Sequence, residues 1–245
     1  MIIGKGLLAS QLTNYKDSDD MLIFASGVSN SSETKNDNFK RELDLIQSYC
    51  NTDSVFIYFS TCSIYDKSNE NSLYVKHKLK AELFIQSNFK SYLIVRLPNM
   101  IGLTNNSHTF FNYFYDAIIS GTPINIYSNA VRYFMDVEDL NPIIKMLLND
   151  EKSINSIINV CYNNSILIPE AVSIFEKYLN KKATATIVDK GSNYNIPNKP
   201  FLNLLDKNQV LLPEQYTENC FRKYIELKAR ESYPNQKLNT LFNHL

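Results

Sequence analysis

Residues 1–12 read MIIGKGLLASQL. Three apolar residues lead into Gly4-Lys5-Gly6-Leu7-Leu8-Ala9, a G-x-G-x-x-A run, and an amphipathic stretch follows at once. A strand, a tight glycine turn and a helix opening directly behind it make a seat for a pyrophosphate. Gly4 allows the turn, Gly6 lets an anion approach the backbone, and Ala9 lets the helix sit close to the strand. The first helical N–H groups, at Leu7 and Leu8, have no intrahelical acceptor and favour negative charge. Lys5 adds a positive charge. On this reading the chain is an α/β protein with a dinucleotide cofactor, and the sequence downstream should alternate strand and helix.

It does so over the first hundred residues. Strands are expected at Met1–Ile3, Met21–Ser26, Val55–Ser60 and Tyr92–Arg96, each short and rich in Ile, Phe, Tyr or Val. Helices are expected over Gly6–Tyr15, Asn36–Cys50 and Leu73–Ser87. The pattern predicts a Rossmann-like, doubly wound parallel sheet with helices on both faces. The second half differs. Helices are expected over Thr109–Ser120, Val137–Asn149, Ile168–Asn180 and Cys220–Arg230. Short strand-like pieces, Ile124–Tyr127, Ile157–Cys161 and Ala185–Val188, separate them, and Pro197 and Pro200 mark a loop. We expect a nucleotide-binding domain over 1–102. Residues 103–245 then form mainly a small α+β substrate-binding lobe, with segments returning to the first domain. Disorder is expected only over Ser232–Leu245.

Bulk properties narrow the function. Lys+Arg and Asp+Glu are 25 each, so the formal net charge is zero, which argues against nucleic acid as a partner. No apolar run reaches the length of a membrane span, and no signal-peptide pattern opens the chain. Cys50, Cys62, Cys161 and Cys220 fit no zinc spacing and read as reduced thiols, which points to the cytoplasm. The three histidines are scattered, so no metal site is expected.

A second chemical motif lies at 60–78, STCSIYDKSNENSLYVKHK. Tyr74 and Lys78 are four apart, so on a helix they share a face, and the lysine charge would lower the phenol's pKa toward the range of a general acid or base. Thr61 closes the strand that begins at Val55, at the sheet end where open α/β folds bind ligands. Its hydroxyl is placed to hydrogen-bond a substrate oxygen. One part of the usual fingerprint is missing. An acidic residue at the end of the second strand normally holds the adenosine ribose. Here the next strand ends Phe24-Ala25-Ser26-Gly27, and Asp19 and Asp20 precede it.

Taken in order, these segments resemble an extended short-chain dehydrogenase/reductase of the NAD-dependent epimerase/dehydratase group, whose members are nucleotide-sugar epimerases, dehydratases and reductases. GKGLLASQL resembles the glycine loop and first helix, and FSTCSIYD the strand that carries the Ser/Thr. YVKHKLKAE resembles Tyr-x-x-x-Lys followed by Glu82. VRLPNMIG resembles an Arg-x-x-Asn-x-x-Gly segment with Arg96, Asn99 and Gly102. VRYFMDVEDL resembles the segment that meets the substrate nucleotide, with Arg132, Asp136 and Asp139. The resemblance covers roughly residues 1–145.

The resemblance implies roles. Tyr74 exchanges a proton with the sugar oxygen, Lys78 binds the nicotinamide ribose and tunes Tyr74, and Thr61 orients the reacting oxygen. Gly4, Lys5, Gly6, Leu7, Leu8, Ala25 and Ser26 line NAD or NADP. Ser63, Asn99 and Arg132 contact a nucleotide-diphosphate sugar. A homodimer through the helices at 36–50 and 73–87 is expected. It also exposes departures. The family has two more strands and a helix before the segment MLIFASG, so the adenosine side is truncated here. Family 4,6-dehydratases carry Asp-Glu after the Ser/Thr, whereas this chain has Cys62-Ser63, which disfavours dehydration. The reading is therefore a reductase or epimerase acting at C4 in cell-surface polysaccharide synthesis, with a non-catalytic dinucleotide- or nucleotide-sugar-binding protein on the same fold as the alternative.

Overall fold

The computed structural model describes residues 1–232; the stretch expected to be disordered lies almost wholly outside them. In chain order the elements are β1 (Ile2–Ile3), α1 (Leu7–Ser10), β2 (Met21–Phe24), α2 (Asn36–Gln47), β3 (Val55–Thr61), α3 (Leu73–Asn88), β4 (Tyr92–Leu97), β5 (Asn99–Ile101), α4 (Phe110–Ser120) and β6 (Ile124–Tyr127). They continue with β7 (Val131–Arg132), β8 (Phe134–Asp136), α5 (Leu140–Leu148), β9 (Ser156–Asn159), β10 (Ile166–Leu167), α6 (Ile168–Leu179), β11 (Ala185–Val188), α7 (Lys199–Lys207) and α8 (Tyr216–Ser232). The chain divides into two compact units. The first comprises Met1–Pro98, Val137–Cys161 and Asn195–Leu211, and the second the remaining segments.

The first unit is built on a parallel sheet of order β1-β2-β3-β4-β9. Its register aligns Ile3, Phe24, Tyr58, Ile94 and Ile157 in one row across all five strands. Leu22, Phe24, Phe56, Tyr58 and Ile94 on one face pack with Ile46 of α2 and Ala81 and Ile85 of α3. The alternate residues Ile23, Ile57, Leu93 and Val95 are fully buried as well. A sheet covered on both faces explains why these strands read as continuous apolar runs. The strand order runs outward from β1 without reversing, and among the described residues nothing pairs on the far side of β1. The passage from β1 to β2 is too short to hold the extra strands that the resemblance implies, so β1 is an edge strand.

Two expectations need correction here. The helix expected over Gly6–Tyr15 is a single turn, α1, followed by a 3-10 turn at Thr13–Tyr15. Thr13, Asn14 and the Asp17-Ser18 pair favour turns over helix, because their side chains compete for backbone groups. Of the loop expected at Pro197 and Pro200, Pro197 lies in irregular chain, but Pro200 falls in the first turn of α7. A proline there loses no hydrogen bond and presets the backbone angle. The strand expected at Ile157–Cys161 is β9, which pairs with β4 and belongs to the first unit.

The second unit holds three two-stranded pairings, β5 with β8, β6 with β11 and β7 with β10. Its core is aromatic. Phe111 and Phe114 of α4, Phe175 of α6 and Phe221 of α8 are buried in mutual ring contact. The aromatic run at 110–115 is thus packing for this unit, apart from Tyr113, which is exposed.

Candidate active site

The glycine loop sits at the end of β1. Gly4 has φ +122, and a Cβ there would lie 2.3 Å from the Ala25 carbonyl oxygen. Gly4 is therefore demanded by the protein itself, because the ends of β1 and β2 meet backbone to backbone. Gly6 is different. Its conformation is extended, and a Cβ would meet nothing within 4 Å. Nothing in the fold requires a glycine there, and the open space in front of it is where an anion would approach. Lys5 and Gly6 are exposed, and Leu7 and Leu8 partly so. The helix behind the loop is one turn long, so its dipole is weak. At β2, Ala25 and Ser26 follow the strand end, and Arg41 of α2 donates to the Ser26 carbonyl at 2.9 Å and to its hydroxyl at 3.3 Å.

Thr61 ends β3 and caps the turn that follows, its Oγ1 accepting from the Ser63 N–H at 3.0 Å. Tyr74 stands at the start of α3, close enough for the Thr61 hydroxyl to influence its phenol. The strand end and the first turn of α3 thus bring Thr61 and Tyr74 near one another. Burial pushes the Tyr74 phenol above its ordinary value, and Glu42 adds to the rise; Lys78 and the Thr61 hydroxyl act downward without prevailing. The expected depression of this phenol does not occur.

Burial is the main reason, and Lys78, the larger of the downward influences, is engaged elsewhere. It is buried, and its ammonium donates to Glu42 Oε1 at 2.9 Å, to the Tyr58 hydroxyl at 3.1 Å and to the Phe59 carbonyl at 3.4 Å. Its Nζ stands 5.9 Å from the centre of the Tyr74 ring. Glu42 is wholly buried and also accepts from Tyr58 OH, from His77 Nε2 and from the Val28 N–H, at 2.6, 2.9 and 2.6 Å. Burial opposes its ionisation, but Lys78, His77, Tyr58 and the Val28 N–H together hold the carboxyl down at about 2. His77 stacks on Phe39, with ring centres 4.6 Å apart.

A second buried carboxylate lies nearby in sequence. Glu82 accepts from Ser60 and from Arg96 in a two-pronged pair, while Arg96 and Asn159 both donate to the Tyr65 hydroxyl. This network ties the ends of β3, β4 and β9 to α3. Cys62, one residue past Thr61, is buried, and burial followed by a contact with Cys161 pushes its thiol well above the usual range. Of the expected substrate residues beyond Ser63, Asn99 and Arg132 belong to the second unit. There Asn99 Nδ2 donates to the Tyr133 carbonyl at 3.0 Å and Arg132 to the Val131 carbonyl at 2.8 Å.

Sequence reasoning missed Glu42. The signal was present: Phe39, Glu42 and Ile46 follow one another at spacings of three and four, so a carboxylate stands on the apolar face of α2. A charge at such a position is rare unless paired.

A parallel α/β sheet with a glycine loop at its first strand and a Thr–Tyr pair at the end of its third defines an extended short-chain dehydrogenase/reductase type of protein. The chain belongs to the NAD dependent epimerase/dehydratase family, whose model matches residues 17–161. A comparison with curated proteins finds no match. Among solved structures, the UDP-N-acetylglucosamine 4-epimerase from Methanobrevibacter ruminantium M1, in complex with UDP-N-acetylmuramic acid, is similar with a TM-score of 0.66 at 21% identity, covering 94% of this chain and 83% of that one. UDP-glucuronic acid 4-epimerase from Bacillus cereus, in complex with UDP-glucuronic acid and NAD, gives 0.65 at 18% identity over 92% and 79%. A dTDP-4-dehydrorhamnose reductase from Clostridium acetobutylicum ATCC 824 gives 0.65 at 13% over 91% and 85%. At these identities the likeness is one of fold.

Proposed function

We propose that the protein is an NAD(P)-dependent nucleotide-sugar reductase or epimerase, acting at a sugar carbonyl or hydroxyl, at C4. The observation that carries this is the placement of Thr61 at the end of β3 and of Tyr74 in the first turn of α3, in the same unit as the open glycine loop. The residues present fit the cofactor at its pyrophosphate end. Gly6 leaves backbone free for phosphate, and the N–H groups of Leu7 and Leu8 have no helical acceptor. When bound, NAD or NADP supplies or takes the hydride. The chain's own part is to hold the sugar oxygen against the Thr61 hydroxyl and to exchange its proton with the Tyr74 phenolic oxygen. Ser63, Asn99 and Arg132 are assigned to the nucleotide-diphosphate sugar, where an arginine suits the diphosphate. Dehydration is disfavoured, because a buried Cys62 with a raised thiol cannot stand in for a carboxylate acid. The epimerases and the reductase of like fold support either direction of the same chemistry. A homodimer through α2 and α3, in the cytoplasm, in polysaccharide synthesis, completes the proposal.

The test is oxidation of NADH or NADPH, followed at 340 nm, with a panel of 4-keto-sugar nucleotides. Tyr74→Phe is expected to lower turnover by about 100-fold or more at unchanged melting temperature. A second reading, a binding protein without turnover, draws on the engagement of all three Lys78 N–H groups. Full function in Tyr74→Phe would select it.

A further inference from the structure

We propose that Glu42 is a positioning residue that holds the Lys78 ammonium to α2 and offsets its charge, so that Tyr74 more readily keeps its proton. This rests on the reading of Tyr74 as the proton-transfer group.

The geometry is specific. A lysine ammonium has three N–H groups, and here all three have acceptors: Glu42, Tyr58 and the Phe59 carbonyl. None is left for the Tyr74 oxygen. Glu42 and Lys78 are both buried, so their attraction is little screened. Gly27 makes room for the pair. A Cβ on Gly27 would stand 2.7 Å from Lys78 Nζ and 2.9 Å from Glu42 Oε1. Glu42 is faced by Lys78 and His77 from α3, by Tyr58 from β3 and by the Val28 N–H from the segment between β2 and α2. Tyr74 is influenced by Thr61 and Cys62 from the end of β3, by Lys78 on its own helix and by Glu42.

The consequence bears on the proton step. Reduction of a carbonyl takes one hydride, which a reduced nicotinamide supplies, and one proton. Tyr74 gives that proton to the carbonyl oxygen as the π pair moves onto it, and the phenolate recovers a proton from water.

The experiment is carbon NMR of cofactor-free protein labelled at the tyrosine Cζ, titrated with base. The Tyr74 signal is identified by its loss in Tyr74→Phe. The wild-type Tyr74 should remain protonated at pH 10. In Glu42→Gln its midpoint should fall by about one pH unit or more, a tenfold rise in phenolate. Glu42→Asp should restore it. Gly27→Ala is the second variant. Its methyl meets only the ends of two flexible side chains, so the fold tolerates it while the lysine is pushed off the carboxylate, and the midpoint should move the same way. A midpoint unchanged in both Glu42→Gln and Gly27→Ala overturns the proposal. Nicotinamide plays no part in this readout. If the redox reading fails, that appears separately, as no turnover beside an intact Tyr74 shift.

Discussion

Glu42 is a buried carboxylate with four donors, and its ionisation belongs to the stability of the fold. Its pKa is about 2 in the folded chain against an ordinary 4.5. The group is depressed on folding, so its stabilisation is fully present above pH 4.5 and is lost as pH falls through about 2. The loss should amount to about 3 kcal/mol across that window. Glu42→Gln should lack this acid dependence and be less stable at pH 7 by about 3 kcal/mol or more, since Lys78 becomes a buried unpaired cation. Urea unfolding at pH 7, 4 and 3 on both proteins measures the two effects. This residue also marks the limit of legibility in the site. The four-residue spacing of Tyr74 and Lys78 places both on α3, and Thr61 falls at a strand end on pattern alone. That Lys78 turns to α2 depends on which helix packs beside which, and no local pattern carries that.

At the scale of elements, β1, the glycine loop and α1 separate two kinds of glycine. Gly4→Ala would place a methyl against the backbone of Ala25 from a conformation that side chains rarely adopt. It should cost about 3 kcal/mol or more. Gly6→Ala should change stability by less than about 1 kcal/mol and weaken dinucleotide binding at least tenfold. Thermal melts and calorimetric titration on the two variants check the pair. The strands were legible because both sheet faces are covered and their runs are apolar throughout. The ends of α1 and α7 were not. Thr13 and Asn14 tipped the chain out of helix, and Pro200 sits in the first turn of a helix where proline most often reads as a break. The aromatic run of α4 packs against the rings of α6 and α8, partners that lie far along the chain.

For the whole molecule, the sheet ends at β1, and the side of the cofactor site that additional strands would build is not supplied by the described residues. Composition and alternation predicted a parallel sheet, and the short interval before Met21 predicted its truncation. Chain segments 137–161 and 195–211 belong with the first unit, which no linker composition announced. Outward on this unit, Leu79 and Leu83 of α3 are exposed, and the groove between α2 and α3 is lined by Leu43, Phe84, Lys40, Lys76 and Lys80. If these helices form the proposed homodimer, Leu83→Glu should convert it to monomer at unchanged helix content, read by light scattering and circular dichroism.

The most direct test of the account is calorimetric titration of purified protein, first freed of any co-purified cofactor, with NAD⁺, NADH, NADP⁺ and NADPH. The account predicts micromolar binding of at least one, which would show that the loop from Gly4 to Ala9 holds a dinucleotide with the sheet cut short. No binding of any of the four at millimolar concentration would contradict it and leave the Thr61, Tyr74 and Lys78 set without a hydride to work with.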